Sequence, residues 1–343
     1  MRAVSYTGDR NLEIVSVEPV EPGPGEVRLS VEYVGICGTD LHIYHGDMDQ
    51  RVRPPAIVGH EMSGRIVAVG TAVAGWQVGQ SVTVMPLRWD GDCPACVAGN
   101  QHLCHHLIFI GIDAPGALQQ SWTVPAEVLV ALPAEMPLEH AALVEPTAVA
   151  VHDVRRAALQ SGERAVVVGG GPVGLLIALV ARREGGDVMI VEIDEYRRNV
   201  ASKLGFQVLD PSVSDVTSAV DEWTGGAGAD IAFEVSGAAG GVTTAVDVLA
   251  VRGRLVLVAI HSQPREVNLF RFFWRELSLV AARLYRRPDF ERAVELVADG
   301  TIPADVLISR IEPLDRAADA FAALGGGGVM KVLVACQDLG AAG

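Results

Sequence analysis

The chain is poor in several features, and each shortage closes off a reading. Basic residues are outnumbered, 27 Lys and Arg against 42 Asp and Glu, for a formal charge of −15. Such a surface repels phosphate backbones and anionic headgroups, so neither nucleic acid nor a membrane surface is an expected partner. The acidity itself needs only solubility to explain it, and a small anionic cofactor can still be held locally by backbone N–H groups. Long apolar runs are missing. The strongest helical one, Val173–Ala181, falls well short of the ~20 residues of a membrane span. Residues 1–10 lack the apolar core of a secretory signal. A soluble, cytoplasmic protein is the expectation. Cysteine is scarce and odd in number, at 37, 93, 96, 104 and 336. Three of these fall within twelve residues, which in a cytosolic chain speaks for metal binding or catalysis and against a disulfide framework.

What the chain does have is core. Half of its 343 residues are hydrophobic and 20% are charged, a globular composition with material for about two domains at ~100–200 residues each. Residues 1–146 read as short strands between Gly- and Pro-rich turns. After the break EPGPG at 21–25, strands are expected over Val27–Val34, Ile66–Val69 and Val82–Met85, which predicts a barrel-like, β-rich domain. The pattern changes near Glu139. Pro137–Pro146 and Val149–Leu159 read as helix, Arg164–Gly169 as an apolar strand and Pro172–Glu184 as helix, with Val188–Ile193, Asp230–Val235 and Arg254–Ile260 as further strands. This alternation predicts a Rossmann-type, doubly wound parallel sheet over residues 147–286. Residues 287–343, with helices over Asp289–Asp299 and Arg316–Leu324, a turn at Gly325–Gly328 and a strand at Lys331–Ala335, are expected to return to the first domain. The expected fold class is α/β with a second, β-rich domain.

Residues 165–174 read AVVVGGGPVG, giving Gly169, Gly171 and Gly174 the G-x-G-x-x-G spacing. That spacing alone is a weak signal among 37 glycines; an apolar strand before it and a helix after it make it strong. The first glycine permits the tight turn, the second lets backbone approach a pyrophosphate and the third lets helix pack on strand. Pro172 suits a first helical turn, and the helix start at Pro172 and Val173 turns free N–H groups and a positive dipole end toward the phosphates. Glu192 ends the second strand, where a carboxylate accepts the ribose hydroxyls of NAD and repels the extra phosphate of NADP. Arg197 and Arg198 admit the opposite reading, a grip on that phosphate, or no more than a solvated helix face. NAD is the expectation and NADP the alternative. Ser236-Gly237 and Ala259–His261, with Ile260 at its centre, follow later strands and are expected to touch the cofactor.

Cys37 stands in GICGTDLH, residues 35–42, and His60 in VGHEM, residues 58–62. Thiolate and imidazole are good zinc ligands, and a catalytic zinc keeps three protein ligands and one open position. Asp40 and Glu61 put carboxylates beside them, and Asp40 is placed to orient His60 through its other ring nitrogen. Asp90-Gly-Asp-Cys-Pro-Ala-Cys96, followed by Cys104, is a second run with metal spacing. Cys336, alone in the last strand, reads as core. The motifs at Gly35–His42, Gly59–Glu61 and Glu145-Pro146, with the glycine fingerprint after them, resemble the medium-chain, zinc-dependent alcohol dehydrogenase family over essentially the full length, and most closely its polyol (sorbitol), butanediol and threonine dehydrogenase branch.

The resemblance implies a GroES-like catalytic domain in which Cys37 and His60 bind a catalytic zinc. The third protein ligand is a carboxylate, with Glu61 and Glu145 both open: one binds zinc while the other holds the zinc-bound water, or the two exchange during turnover. It implies a structural-zinc lobe at about residues 88–106, where the family normally carries four cysteines. Here the first position is Asp90, so Asp90, Cys93, Cys96 and Cys104 are the expected set, with Asp92, His102, His105 and His106 as substitutes. It implies hydride transfer between a secondary alcohol (polyol, vicinal diol or amino alcohol) and NAD, the alcohol being held by zinc as its alkoxide. The Thr39 hydroxyl starts a proton relay that the nicotinamide ribose continues and His42 delivers to solvent, a task that histidine's ordinary near-neutral pKa suits. A homo-oligomer, tetramer or else dimer, is implied too. One rival is a zinc-free quinone or enone reductase on the same fold, which lacks the Cys37–His60–Glu set. Another is a non-catalytic cofactor-binding protein, against which the intact Cys37, Thr39, His60 and Glu61 speak.

Overall fold

Valine-rich stretches cut by Gly and Pro build the strands of the first of two units, residues Met1–Glu145 with the segment from Arg286 onward. They are β1 (Arg2–Gly8), β2 (Asn11–Ser16), β3 (Glu26–Gly35), β4 (Glu61–Val69), β5 (Ser81–Val84), the short ribbon β6 (Leu87–Arg88) and β7 (Ile108–Phe109), β8 (Ser121–Pro125) and β9 (Leu129–Ala131). The second unit, Pro146–Tyr285, carries β10 (Arg164–Val168), β11 (Asp187–Val191), β12 (Gln207–Leu209), β13 (Ala229–Glu234), β14 (Leu249–Leu257) and β15 (Ser278–Ala281). The chain then returns to the first unit with β16 (Ile308–Pro313) and β17 (Lys331–Ala335). The computed structural model describes residues 1–338. No described helix is long and apolar enough to cross a membrane.

In the first unit a seven-stranded sheet runs β16-β17-β3-β4-β5-β9, with β8 also on β3. Its centre decides where the chemistry sits. Gly35, the last residue of β3, pairs with Glu61, the first of β4, and with Leu333 of β17. One end of three neighbouring strands therefore gathers the residues around 36, 61 and 331. All five residues of β17 are buried, as expected of a strand covered on both faces.

The second unit is a parallel sheet in the order β12-β11-β10-β13-β14-β15. This is the doubly wound dinucleotide-binding order, whose chain reversal opens a crevice beyond the carboxyl ends of the first and fourth strands. Those strands are β10 and β13. The core between sheet and helices is aliphatic, with Val166, Val168, Met189, Val191, Ala232 and Leu255 among its buried members.

Several element limits differ from those read in the sequence. β4 starts at Glu61 and not Ile66: Ser63, Gly64 and Arg65 break the apolar pattern, yet Glu61–Gly64 are buried strand residues. β14 starts at Leu249 and ends at Leu257, so Ile260 lies past the strand and is 84% exposed. The two helical stretches expected at 137–146 and 149–159 are the helices Leu138–Ala141 and Val144–Arg156, so the break falls at residues 142–143. Pro146 falls in the first turn of the second, where a missing N–H costs nothing. The last helix, Ala317–Gly326, runs on through Gly325.

Close packing fixes one glycine of the fingerprint outright. A Cβ on Gly174 would stand 1.8 Å from the Gly169 carbonyl oxygen, whereas one on Gly240, in the helix Ala239–Asp247, would meet nothing within 4 Å. Gly174→Ala should therefore lower stability by about 1–3 kcal/mol, and Gly240→Ala should raise it by up to ~1 kcal/mol through helix propensity. Urea unfolding of the two variants beside the parent checks both signs.

Candidate active site

Cys37 caps the helix Gly38–Tyr44, its Sγ accepting from Thr39 N–H at 3.5 Å. Asp40 closes the turn by accepting the Cys37 N–H at 2.9 Å. The other oxygen of Asp40 lies 3.7 Å from His60 Nδ1, and both residues are buried. Asp40 thus does two things, capping the turn and facing the imidazole. His60 is packed edge-on by Phe109 with ring centroids 5.1 Å apart. It follows Gly59, whose φ of +95° and close neighbours, Leu118 and Val34, suit glycine alone. Donor atoms of Cys37, His60 and Glu61 all lie within 4.8 Å of one another.

Burial disfavours charge on these groups. It pushes the Asp40 carboxyl up. Burial would lower His60, but the charges of Asp40, Cys37 and Glu145 and a hydrogen bond with Cys37 prevail and hold it well above its ordinary value. Asp40 Oδ1 and His60 Nδ1 face each other, buried and with no hydrogen-bond partner, and Glu61 Oε2 is ion-paired with Lys331. Buried charge and unsatisfied buried polar groups are costly, and a divalent cation held by the Cys37 thiolate, a ring nitrogen of His60 and the Glu61 carboxylate would supply compensating charge. The residues fit a zinc ion.

Glu145 is buried in the first turn of its helix, close enough for its charge to act on His60 and on Lys331, but outside the group of three converging donors. Thr39 is half-buried on the short helix. His42, three residues on, is exposed and 3.1 Å from Asp47. Sequence reading missed Lys331, which is buried and ion-paired with Glu61 while donating to the Ile36 carbonyl at 3.1 Å. Burial would lower its ammonium, but Glu61 and Cys37 raise it.

The second cluster also converges, with donor atoms of Asp90, Cys93, Cys96 and Cys104 all within 4.8 Å of one another. Asp90 Oδ1 accepts the N–H groups of Asp92 and Cys93, each at 3.1 Å, and Oδ2 lies 2.6 Å from His106 Nδ1. The His106 contact holds the Asp90 carboxyl well below its usual range. Cys104 Sγ accepts from the N–H groups of Asp90 and His106 at 3.5 and 3.3 Å. Asp92, His102, His105 and His106 fall outside the converging set. All five cysteines are free thiols.

In the second unit Gly169 turns at φ +106°, and a Cβ there would strike the backbone of Ser236. Gly171 caps the helix Pro172–Arg183, leaving its first N–H groups without a side-chain cap. Glu192, just past β11 and 5% exposed, accepts Gly170 N–H at 2.6 Å and Asp194 N–H at 2.8 Å. The two arginines part company. Arg198 is spent on Asp210 at 2.9 Å and on the carbonyls of Glu192 and Ile193. The Arg197 guanidinium lies 3.5 Å from where a Gly171 Cβ would be. Ser236 donates through N–H and Oγ to the buried Glu234.

Two family models match the chain: an alcohol dehydrogenase GroES-like domain over residues 23–134 and a zinc-binding dehydrogenase domain over residues 172–299. The chain is 48% identical to the 2-dehydro-3-deoxy-L-galactonate 5-dehydrogenase of Pseudoalteromonas atlantica, over 98% of this chain and 99% of that one. Among solved structures it is similar to the 2R,3R-butanediol dehydrogenase of Bacillus subtilis, with a TM-score of 0.92, 31% identity and coverage of 98% of this chain and 99% of that one. It is also similar to a zinc-binding dehydrogenase of Sinorhizobium meliloti bound to NADP, with a TM-score of 0.92, 32% identity and coverage of 97% and 98%.

If both clusters hold metal, variants should separate them. Cys37→Ser should remove one zinc per chain and Asp90→Ala a different one, while Asp90→Cys keeps the full complement. Metal analysis of the purified proteins decides, and an Asp90→Ala protein with unchanged zinc would rule out the carboxylate as the fourth ligand.

Proposed function

As a member of the alcohol dehydrogenase family built from a GroES-like and a zinc-binding dehydrogenase domain, this chain is an oxidoreductase of alcohols, and we propose that it oxidises a secondary hydroxyl of a polyhydroxylated sugar acid of the 2-dehydro-3-deoxy-aldonate type, using NAD. The observation that carries the reading is the 48% identity, over nearly the whole of both chains, to an enzyme named for that chemistry. The converging set of Cys37, His60 and Glu61 supports it and disfavours a zinc-free reductase.

Cys37, His60 and Glu61 would hold a zinc ion, whose Lewis acidity would lower the pKa of a hydroxyl bound there by as much as ~9 units, an upper scale of ~12 kcal/mol. The protein's own residues do the rest. Asp40 fixes the ring of His60. Thr39 Oγ accepts the hydroxyl proton as it gives up its own, and His42, three residues along the short helix, delivers the relayed proton to solvent. Asp47 orients His42. Glu145 holds water near the centre. The N–H groups after Gly171 cradle the pyrophosphate, with Pro172, Val173 and Gly174 shaping that turn and Arg197 beside it. Ser236 and Ile260 flank the cofactor at the carboxyl ends of β13 and β14. Asp90, Cys93, Cys96 and Cys104 hold a second, structural zinc.

We also propose a cytoplasmic homo-oligomer, tetramer or else dimer. Its support is the helix Leu269–Arg275, where Leu269, Phe270, Phe273 and Trp274 are each at least 70% exposed, beside the sheet-edge strand β15.

The substrate reading is tested by steady-state kinetics with 2-dehydro-3-deoxy-L-galactonate, L-galactonate, sorbitol, 2,3-butanediol and threonine. The sugar acid should give the highest kcat/KM; an equal or higher value for any neutral diol or for threonine would contradict it. The coenzyme reading is tested at Glu192. Glu192→Gln should shift the kcat/KM ratio toward NADP by about tenfold or more, the scale of one lost charge repulsion of ~1.4 kcal/mol, and an unchanged ratio would show that Glu192 does not discriminate.

A further inference from the structure

The turn that begins at Phe109, the last residue of β7, is pressed against His60. Phe109 meets the imidazole edge-on, with ring centroids 5.1 Å apart. A Cβ on Gly111 would stand 2.5 Å from the Gly59 carbonyl oxygen and 3.1 Å from His60 Cβ. Asp113 closes this turn on itself. Its N–H donates to the Phe109 carbonyl at 2.7 Å, and its Oδ2 accepts the Phe109 N–H at 2.8 Å. The same carboxylate is gripped by the fork of Arg51, Nε to Oδ1 and Nη2 to Oδ2, each at 2.7 Å. Arg51 stands in the turns that follow the helix of Thr39 and His42, where its own N–H donates to the Met48 carbonyl at 2.8 Å. One ion pair, between residues 62 positions apart, thus joins the segment that carries Thr39, His42 and Asp47 to the turn that packs the imidazole.

Stability does not account for this pair. Its side chains are 42% and 23% exposed, and ion pairs so open to water contribute little to folding. A guanidinium fork supplies direction instead. Two parallel N–H···O bonds fix the plane of the carboxylate, and that carboxylate holds the Phe109 backbone. A lysine ammonium would bring the charge without the plane. The His60 ring has need of such a support. Asp40 faces its Nδ1 at 3.7 Å, longer than a hydrogen bond, so the tilt of the ring is left to its packing. An imidazole binds a metal through a lone pair in its own plane, and what sets the ring's orientation therefore sets its strength as a ligand. We propose that Arg51 and Asp113 are positioning residues that act through Phe109 to hold the His60 ring at its metal-binding tilt. The inference rests on the reading of His60 as a metal ligand.

Nuclear magnetic resonance of the holoprotein with 13C-labelled histidine tests this. The His60 ring protons, assigned with H60N, carry a ring-current shift from Phe109, and F109L marks where they lie without it. In R51A, R51K and D113A they should move from the parent positions toward those of F109L, although the urea midpoint changes little. Zinc release into excess chelator, followed with an indicator dye, should quicken about tenfold in R51A, the lower scale for partners that orient a metal ligand. In the D113A background the same arginine change should alter release less than about twofold, because the fork has lost its object. Parent resonances in R51A and R51K, or an equal effect of R51A on release with and without Asp113, overturn the proposal. R51K keeps the charge and carries the test if D113A fails to fold. Unchanged zinc content in Cys37→Ser would instead overturn the metal centre itself, and the proposal with it.

Discussion

A thiol, an imidazole and carboxylates packed into one dry pocket cannot all be charged without a compensating cation, and the first unit is built around that constraint. Asp40, His60 and Glu61 are buried; Asp40 and His60 each leave an atom without a hydrogen-bond partner, and Glu61 has the Lys331 ammonium against it. Burial of that kind is costly for any fold that does not use it. The sheet register produces it: Gly35 is paired with Glu61 on one side and with β17 on the other, and its missing side chain leaves the room in which Glu61 and Lys331 meet. A fixed ammonium offsets part of the negative charge, and in the proposed reading a divalent ion offsets the rest.

The second unit meets an anion by the opposite means. Beside the glycine turn stands one guanidinium, that of Arg197; in the proposed reading the backbone N–H groups at the helix start do the binding, and a buried carboxylate, Glu192, is clamped by the N–H groups of Gly170 and Asp194. In the proposed reading that clamp gives selectivity, since a rigid anion cannot retreat from a second phosphate, and a chain with net charge −15 holds its anionic cofactor through local geometry, not through its overall field.

How much could be read in advance followed from chain distance. Cys37 and His60 were legible because each lies in a glycine-flanked motif with its neighbours, Asp40 and Glu61, only a few residues away. The Gly169–Gly174 turn was legible because strand and helix patterns bracket it. Lys331 was not, because its partner carbonyl at Ile36 is 295 residues distant and a lysine opening an apolar strand carries no local mark of burial. Arg198 likewise shows its role only in the fold, where Asp210, just past a neighbouring strand, takes it up, while Arg197 stays beside the glycine turn. β4 was read short because Ser63, Gly64 and Arg65 interrupt its apolar pattern, although tertiary packing buries that stretch from Glu61 to Gly64. The helix Leu269–Arg275 escaped notice for the converse reason: its exposed aromatic residues look like core by composition alone.

The central claim is that Cys37, His60 and Glu61 surround a zinc ion, and anomalous diffraction from crystals of the purified protein, measured on both sides of the zinc absorption edge, tests it most directly. The account predicts an anomalous peak that appears only above the edge and lies within ligand distance of Cys37 Sγ, a His60 ring nitrogen and a Glu61 carboxylate oxygen. A site with no such peak in fully active protein would contradict it.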